Sequence, residues 1–211
     1  MSGRFRLLLA ACGWLCAAQC QAAPDFGAAR ASDDARYAAG WVLAAADNEG
    51  LPFAVVDKRD ARIYVFAADG RLIGAAAALL GWAVGDHAVA DAALRNPGQL
   101  ALDERTTPAG RFPSRPGRND KGEPIVWIDY DASFAIHRLR PAPAQERRAA
   151  RLASATPDDN RISLGCVVVA VDFYETVVGP SLGRGRGVVY VLPETRPARA
   201  LFDAAELPRV D

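Results

Sequence analysis

The sequence has few of the residues on which disulfide-bonded, zinc-binding and nucleic-acid-binding proteins depend. Its 211 residues include four cysteines, three of which lie within the first 20 positions, so Cys166 stands alone in the remainder. The two histidines, His87 and His137, are too few and too far from Cys166 along the chain to indicate zinc. Basic and acidic residues are balanced at 25 each, without the excess that a nucleic-acid-binding face requires. The composition therefore predicts no metal site and no nucleic-acid partner.

Long hydrophobic runs are also lacking, apart from one short run near the start. Arg4 and Arg6 precede an apolar stretch, residues 7–18, and small residues follow it up to Ala22. The apolar run is too short for a membrane span. This order is typical of a secretory signal peptide, so we expect residues 1–22 to be removed and the protein to be periplasmic, without a transmembrane segment.

Export makes the remaining cysteine informative. After removal of the signal peptide, 23 basic and 25 acidic residues would remain with a single thiol that has no internal disulfide partner. A lone thiol in an oxidising compartment is a liability unless it is deeply buried or used in chemistry. Cys166 is therefore a candidate functional residue.

The rest of the chain indicates one mainly β domain with flanking segments. Ser32, followed by acids and by apolar residues at helical spacing, predicts a helix in a lead-in segment, residues 23–50. Alternating apolar segments separated by turn signals then fill residues 51–193. Residues 194–211 are expected to form a tail. We expect a mainly β (α+β) fold, a sandwich or mixed sheet with a few peripheral helices.

Two segments of this domain do not show a strand pattern. Residues 113–124 contain three prolines and two glycines among charged residues, which predicts an exposed loop. Residues 144–153 are polar and predict a surface helix.

The stretch Ser163-Leu164-Gly165-Cys166 is the most informative in the chain. A glycine directly before a cysteine permits a sharp bend that leaves backbone amides free, and a β-branched run starts immediately after it. We interpret Cys166 as a nucleophile held on a turn. The alternative is an unrelated envelope β-domain in which Cys166 is a small buried hydrophobe with an inert thiol.

A cysteine nucleophile needs a base within hydrogen-bonding reach. His137 ends an apolar strand, which would provide a rigid mount, whereas His87 lies in a predicted loop beside Asp86. We therefore expect His137 to be the base. A neighbouring imidazolium would lower the pKa of Cys166 below about 7 and make the thiolate dominant at neutral pH.

The order of the motifs resembles that of the YkuD-type L,D-transpeptidase catalytic domain, over about residues 52–192. The motifs that carry the resemblance are Thr107-Pro108-Ala109-Gly110-Arg111-Phe112, Phe134-Ala135-Ile136-His137, Ser163-Leu164-Gly165-Cys166 and Gly187-Val188-Val189-Tyr190-Val191. The family implies a mainly β fold without metal or other cofactor. It also implies that the protein acts on peptidoglycan stem tetrapeptides and releases their terminal D-alanine. The acyl group then passes to an amine acceptor, to a lysine of an envelope protein, or to water in a carboxypeptidase side reaction.

The resemblance also implies roles for individual residues. Cys166 would be the nucleophile and His137 the base. Ser163 would orient the site, and the backbone around Gly165 and Cys166 would supply hydrogen-bond donors to the oxyanion.

Several positions depart from the family pattern. Leu164 stands where a histidine is common, Val168 where an arginine or asparagine is usual, and Arg138 where a glycine follows the histidine. The stretch between His137 and Ser163 is longer than usual. Because a guanidinium fork suits a carboxylate, we expect Arg161 or Arg138 to bind the substrate in place of the missing side chain. The departures leave a second hypothesis open, a degenerate cell-wall peptide-binding domain without turnover.

Overall fold

The computed structural model describes residues 24–89, 95 and 97–203, so the expected signal peptide lies outside the described residues. Within them, none of the helices is long and apolar enough to cross a membrane. The strands are β1 (Phe53–Asp57), β2 (Arg62–Phe66), β3 (Leu72–Gly81), β4 (Gly110–Arg118), β5 (Pro124–Asp129), β6 (Phe134–Arg138), β7 (Arg161–Ser163), β8 (Val167–Val169) and β9 (Gly187–Val191). The helices are α1 (Asp33–Ala44), α2 (Arg148–Leu152), α3 (Val171–Phe173) with a π-helical turn at Tyr174–Val178, and α4 (Ala200–Asp203), besides 3-10 turns at Pro97–Gln99, Leu102–Glu104 and Ala144–Glu146.

The strands form one mixed sheet in the order β2-β1-β9-β4-β5-β6-β8-β3-β7. Because β2 pairs with both β1 and β3, eight of these strands close into a ring, and β7 pairs with the end of β3. The predicted mainly β fold with a mixed sheet and few helices is confirmed.

The side chains of each strand alternate between two hydrophobic clusters, as the pleat of a strand requires. In β1, Ala54 and Val56 belong to a cluster to which strands all round the ring contribute, so this cluster fills the ring. Phe53 and Val55 point the other way, into a second cluster beneath α1. Strand β1 is therefore buried on both faces.

The predicted N-terminal helix is confirmed as α1. Its cap is Ser32, whose Oγ accepts a hydrogen bond from the Ala35 N–H at 3.0 Å. The same hydroxyl donates to the carboxylate of Asp57, which ties the start of α1 to the end of β1. The lead-in segment therefore packs on the sheet as part of the domain.

Three sequence-based expectations about the limits of the elements differ from the structure. Residues 194–203 are not a free tail, because Ala198 and Leu201 are fully buried against α1. Strand β4 continues through much of the expected loop 113–124. Along an antiparallel strand, every second N–H group points away from a given partner strand. A proline at such a position therefore removes no hydrogen bond to that partner. The expected helix over residues 144–153 is divided into a 3-10 turn and α2.

Candidate active site

Cys166 ends a tight turn that connects β7 to β8. Ser163, the last residue of β7, holds this turn: its Oγ accepts from the Gly165 N–H at 3.1 Å and donates to the Cys166 carbonyl at 2.7 Å. One hydroxyl thus binds the backbone on both sides of the nucleophile. Ser163 therefore fixes the backbone of the turn that carries Cys166.

Gly165 occupies a backbone conformation that other residues rarely adopt. Its φ is +135°, and a Cβ added there would lie 2.8 Å from the Thr106 carbonyl oxygen. The Gly165 carbonyl accepts a hydrogen bond from Thr107 Oγ1 at 2.8 Å, and the same Oγ1 accepts from the Gly81 N–H at 2.8 Å. Thr107 therefore joins the nucleophile turn to β3.

A buried lysine holds the loop that carries Thr107. Lys58, which is 1% exposed, donates from Nζ to the Thr107 carbonyl and to Asp86 Oδ1, each at 2.8 Å. Although burial opposes it, hydrogen bonds from Lys58 and Thr195 hold the pKa of Asp86 well below its usual range. No local feature of the sequence indicates that Lys58 is buried, because its partners are distant in the chain.

We predict that replacement of Gly165 by alanine impairs the active site more than the strain of a positive φ alone would. The Cβ contact with Thr106 must displace the turn, so acylation of Cys166 should fall about 10-fold or more, with a stability loss of about 1–3 kcal/mol. Gly122→Ala is the matched control, because Gly122 also has a positive φ, +75°, but nothing lies within 4 Å of the added Cβ. Denaturant unfolding and acylation rates compare the two. Equal acylation in both variants would contradict the proposed constraint.

His137 is presented by β6, which runs parallel to β8. The register places His137 opposite Val168, so Cys166, two residues before Val168, lies on the same face as His137. Both residues line one pocket. His87 does not line this pocket, and its side chain is exposed. The structure thus brings the predicted base and nucleophile together.

The hydrogen bond of His137 defines which ring nitrogen can act as a base. Nδ1 lies 2.8 Å from the Arg138 carbonyl oxygen. A carbonyl only accepts, so Nδ1 carries the proton and Nε2 has a free lone pair. Burial lowers the pKa of His137 to about 4, and the charges of Arg140 and Arg148 act in the same direction. The imidazole is therefore neutral at neutral pH.

The thiol of Cys166 is also neutral at rest. Its Sγ donates a hydrogen bond to the Ser133 carbonyl at 3.5 Å. Burial raises the pKa of Cys166, although a hydrogen bond from the Ala135 backbone and the charge of Arg140 oppose this. These directions differ from the thiolate–imidazolium pair expected from the sequence. The thiol proton must instead pass to His137 as the sulfur attacks.

Because His137 is neutral at neutral pH, the rate of acylation is predicted to fall only at markedly acidic pH. Acylation of Cys166 should keep its neutral-pH rate down to about pH 6 and fall only as the pH approaches about 4, where His137 becomes protonated. A histidine with the ordinary pKa of about 6.5 would be only about one-quarter neutral at about pH 6. The rate of acylation at each pH is measured by quenching the reaction at successive times and determining the intact mass of the protein. A midpoint near 6.5 would show that the imidazole is not desolvated.

The pocket around this pair has a volume of about 910 Å³. Trp127 and Ala135 contribute from the outer faces of β5 and β6, and Leu164, 37% exposed, contributes from the nucleophile turn. Val168 also lines the pocket.

Neither arginine expected to bind substrate lies in the pocket. Arg161 is engaged by Glu194 and by the Lys58 carbonyl, with Nη1 3.2 Å from Glu194 Oε1. Arg138 is directed to Glu175, with Nη1 3.2 Å from its Oε1. The sequence interpretation of both residues is corrected, because proximity to the motif along the chain does not determine the direction of a side chain. The pocket is lined instead by Arg118, Arg140 and Arg148.

The backbone donors around the nucleophile are not equivalent. The Gly165 N–H is occupied by Ser163 Oγ. The Cys166 N–H makes no hydrogen bond to the described part of the chain outside the strand ladders, so it is the better candidate for a developing oxyanion. Among residues 24–89, 95 and 97–203, no group of three or more His, Cys, Asp or Glu side chains that could hold a metal ion occurs.

No protein-family model and no curated protein matches the chain. Several solved structures similar to it are L,D-transpeptidases. The helical cell shape determining protein Pgp2 of Campylobacter jejuni is 15% identical, with a TM-score of 0.45, over 70% of this chain and 49% of its own. An L,D-transpeptidase of Xylanimonas cellulosilytica is 16% identical, with a TM-score of 0.41, over 67% and 60% of the two chains. The catalytic domain of the E. faecium L,D-transpeptidase is 18% identical, with a TM-score of 0.37, over 67% and 96%.

The chain thus matches about half the length of the C. jejuni protein.

Proposed function

We propose that the protein is a cysteine-dependent L,D-transpeptidase that acts on peptidoglycan stem tetrapeptides. The observation that carries the proposal is the pair formed by Cys166 and neutral His137, which are mounted on adjacent strands and face one pocket. The substrate class follows from the sequence resemblance. The expected signal peptide would place the protein in the periplasm, where this substrate occurs.

The geometry allows a complete acyl-transfer cycle. His137 Nε2 accepts the thiol proton while Cys166 Sγ bonds to the carbonyl carbon at the L-centre of diaminopimelate. The Cys166 N–H donates to the resulting oxyanion. Collapse of the intermediate breaks the bond to the D-alanine nitrogen, which takes the proton from His137, and leaves a thioester. An amine of a second stem peptide, a lysine of an envelope protein, or water then attacks with His137 as the base, and the thiol re-forms.

The test is incubation of the purified protein with disaccharide-tetrapeptide muropeptides, followed by mass analysis of the products. Transfer to an amine yields a cross-linked dimer and free D-alanine, and hydrolysis yields the tripeptide and free D-alanine. Absence of both products with every stem peptide would contradict the proposed activity.

Leu164 and Val168 favour a second candidate function, a peptide-binding domain without turnover. Both side chains are apolar and line the pocket where polar groups are usual in the family. In that case the protein would bind stem peptides but leave them intact, and Leu164→His would restore acylation. Turnover by the unmodified protein would exclude this candidate.

A further inference from the structure

The segment after β6 and the first turn of α2 each contribute one arginine to the wall of the catalytic pocket. Arg140 and Arg148, here called the arginine pair, line both this pocket and an adjoining pocket of about 380 Å³. The second pocket is otherwise lined by residues of the same segment and of α2, including Leu139, Pro143 and Arg147. The pair therefore lies where the two pockets meet.

A carboxylate lies beside the Nε of each member of the pair. Arg140 Nε lies 2.9 Å from Glu123 Oε2, and Arg148 Nε donates to the carboxylate of Glu146. Their terminal nitrogens make no hydrogen bond within the described part of the chain. In contrast, the terminal nitrogens of Arg161 are occupied by Glu194 and the Lys58 carbonyl. The two carboxylates thus orient the arginine side chains, and the terminal N–H groups of both guanidinium groups remain available to a ligand.

The pair is also partly withdrawn from water and close to the reacting groups. The side chains of Arg140 and Arg148 are 32% and 20% exposed. The charge of Arg140 lowers the pKa of both His137 and Cys166, and that of Arg148 lowers the pKa of His137. The pocket also contains acidic residues, Asp120 and Asp131, but both are exposed. An anion at the half-buried pair would be bound next to the nucleophile.

We propose that Arg140 and Arg148 form a carboxylate-binding subsite that positions the stem peptide for attack by Cys166. The proposal rests on the proposed function and adds residues from the long segment between His137 and Ser163. A guanidinium fork donates two parallel hydrogen bonds to a carboxylate. The ligand is a peptide carboxylate, supplied either by the C-terminal D-alanine or by the free carboxylate of diaminopimelate.

The test combines a change in the protein with a change in the substrate. Arg140→Gln and Arg148→Gln should each lower kcat/KM for the tetrapeptide about 10- to 100-fold, the usual effect of losing a hydrogen bond to a charged group. Two substrate analogues, one with a C-terminal carboxamide and one with amidated diaminopimelate, identify the carboxylate. With the analogue that lacks the bound carboxylate, the two arginine variants should lose little further activity, because the partner group is already absent.

The double comparison separates carboxylate binding from the effect of the arginines on the pKa of His137, which would persist with every substrate. Arg186→Gln, which removes an exposed arginine outside both pockets, is the matched control and should retain full activity. Equal losses with the tetrapeptide and with both analogues would overturn the carboxylate subsite.

Binding measurements distinguish failure of the subsite from failure of the proposed function. In Cys166→Ala, which cannot turn over the substrate, the further substitution Arg140→Gln should weaken the binding of the tetrapeptide about 10-fold or more. Calorimetric titration of the two variants measures this difference in affinity. If the unmodified protein has no turnover but this weakening occurs, the subsite stands and the transpeptidase proposal fails. If turnover occurs and neither binding nor kcat/KM responds to the arginine variants, the subsite fails and the transpeptidase proposal stands.

Discussion

Replacement of Cys166 by alanine is expected to abolish turnover and covalent acylation while the fold is retained. Outside the first 20 positions the chain has no other cysteine, so no second thiol can substitute. The side chain is only half-buried and its thiol makes one weak contact, to Ser133. Loss of a nucleophile typically costs a factor of about 10⁴ or more. A carbapenem should acylate Cys166 if the proposed activity is correct. Intact mass after incubation with it should therefore show an adduct on the unmodified protein and none on Cys166→Ala.

Alkylation of the folded protein provides the control for accessibility. Iodoacetamide should label Cys166 without denaturant, because the thiol lines an open pocket. Labelling should be slow at neutral pH and accelerate with increasing pH, since burial raises the pKa of the thiol and only the thiolate reacts. If labelling requires denaturation, Cys166 is a core residue and the enzyme hypothesis is wrong.

Replacement of His137 by alanine is expected to lower the acylation rate by a factor of at least about 10², the usual contribution of a positioned general base. Because the thiol is neutral, little thiolate exists before the proton is transferred. The rate of acylation therefore depends strongly on His137. Carbapenem acylation followed by mass, at fixed pH, measures the effect.

His87→Ala is the matched control for the second histidine of the chain. His87 lies outside the pocket, and its contact with Thr106 is made by its backbone carbonyl, which alanine retains. Acylation should therefore be unchanged. Equal losses from the two variants, or a loss from His87→Ala alone, would contradict the assignment of the base.

Local features of the sequence were sufficient for much of the fold. Ser32 and the acids after it predicted the start of α1, and the helix begins at Asp33. The glycine before Cys166 predicted a turn, and its φ of +135° shows why glycine is needed there. Such features depend on neighbours along the chain, so they can be recognised without the tertiary structure.

Features that depend on distant residues could not be predicted in this way. Nothing near Lys58 in the sequence indicates burial, yet its Nζ donates to the carbonyl of Thr107, 49 positions later. The segment after residue 193 was expected to be a tail, yet Leu201 is buried against α1. In each case the partner that determines the burial lies elsewhere in the chain.

The sequence by itself determined the mainly β fold, the turn that carries Cys166 and the order in which His137 and Cys166 occur, because hydrophobic periodicity and turn chemistry act over a few residues. The tertiary structure decided the protonation states of this pair and which arginines line the pocket. Protonation depends on burial, which lowers the pKa of His137 to about 4. The direction of an arginine depends on the carboxylates that pack against it, and these withdraw Arg161 from the pocket while holding Arg140 within it.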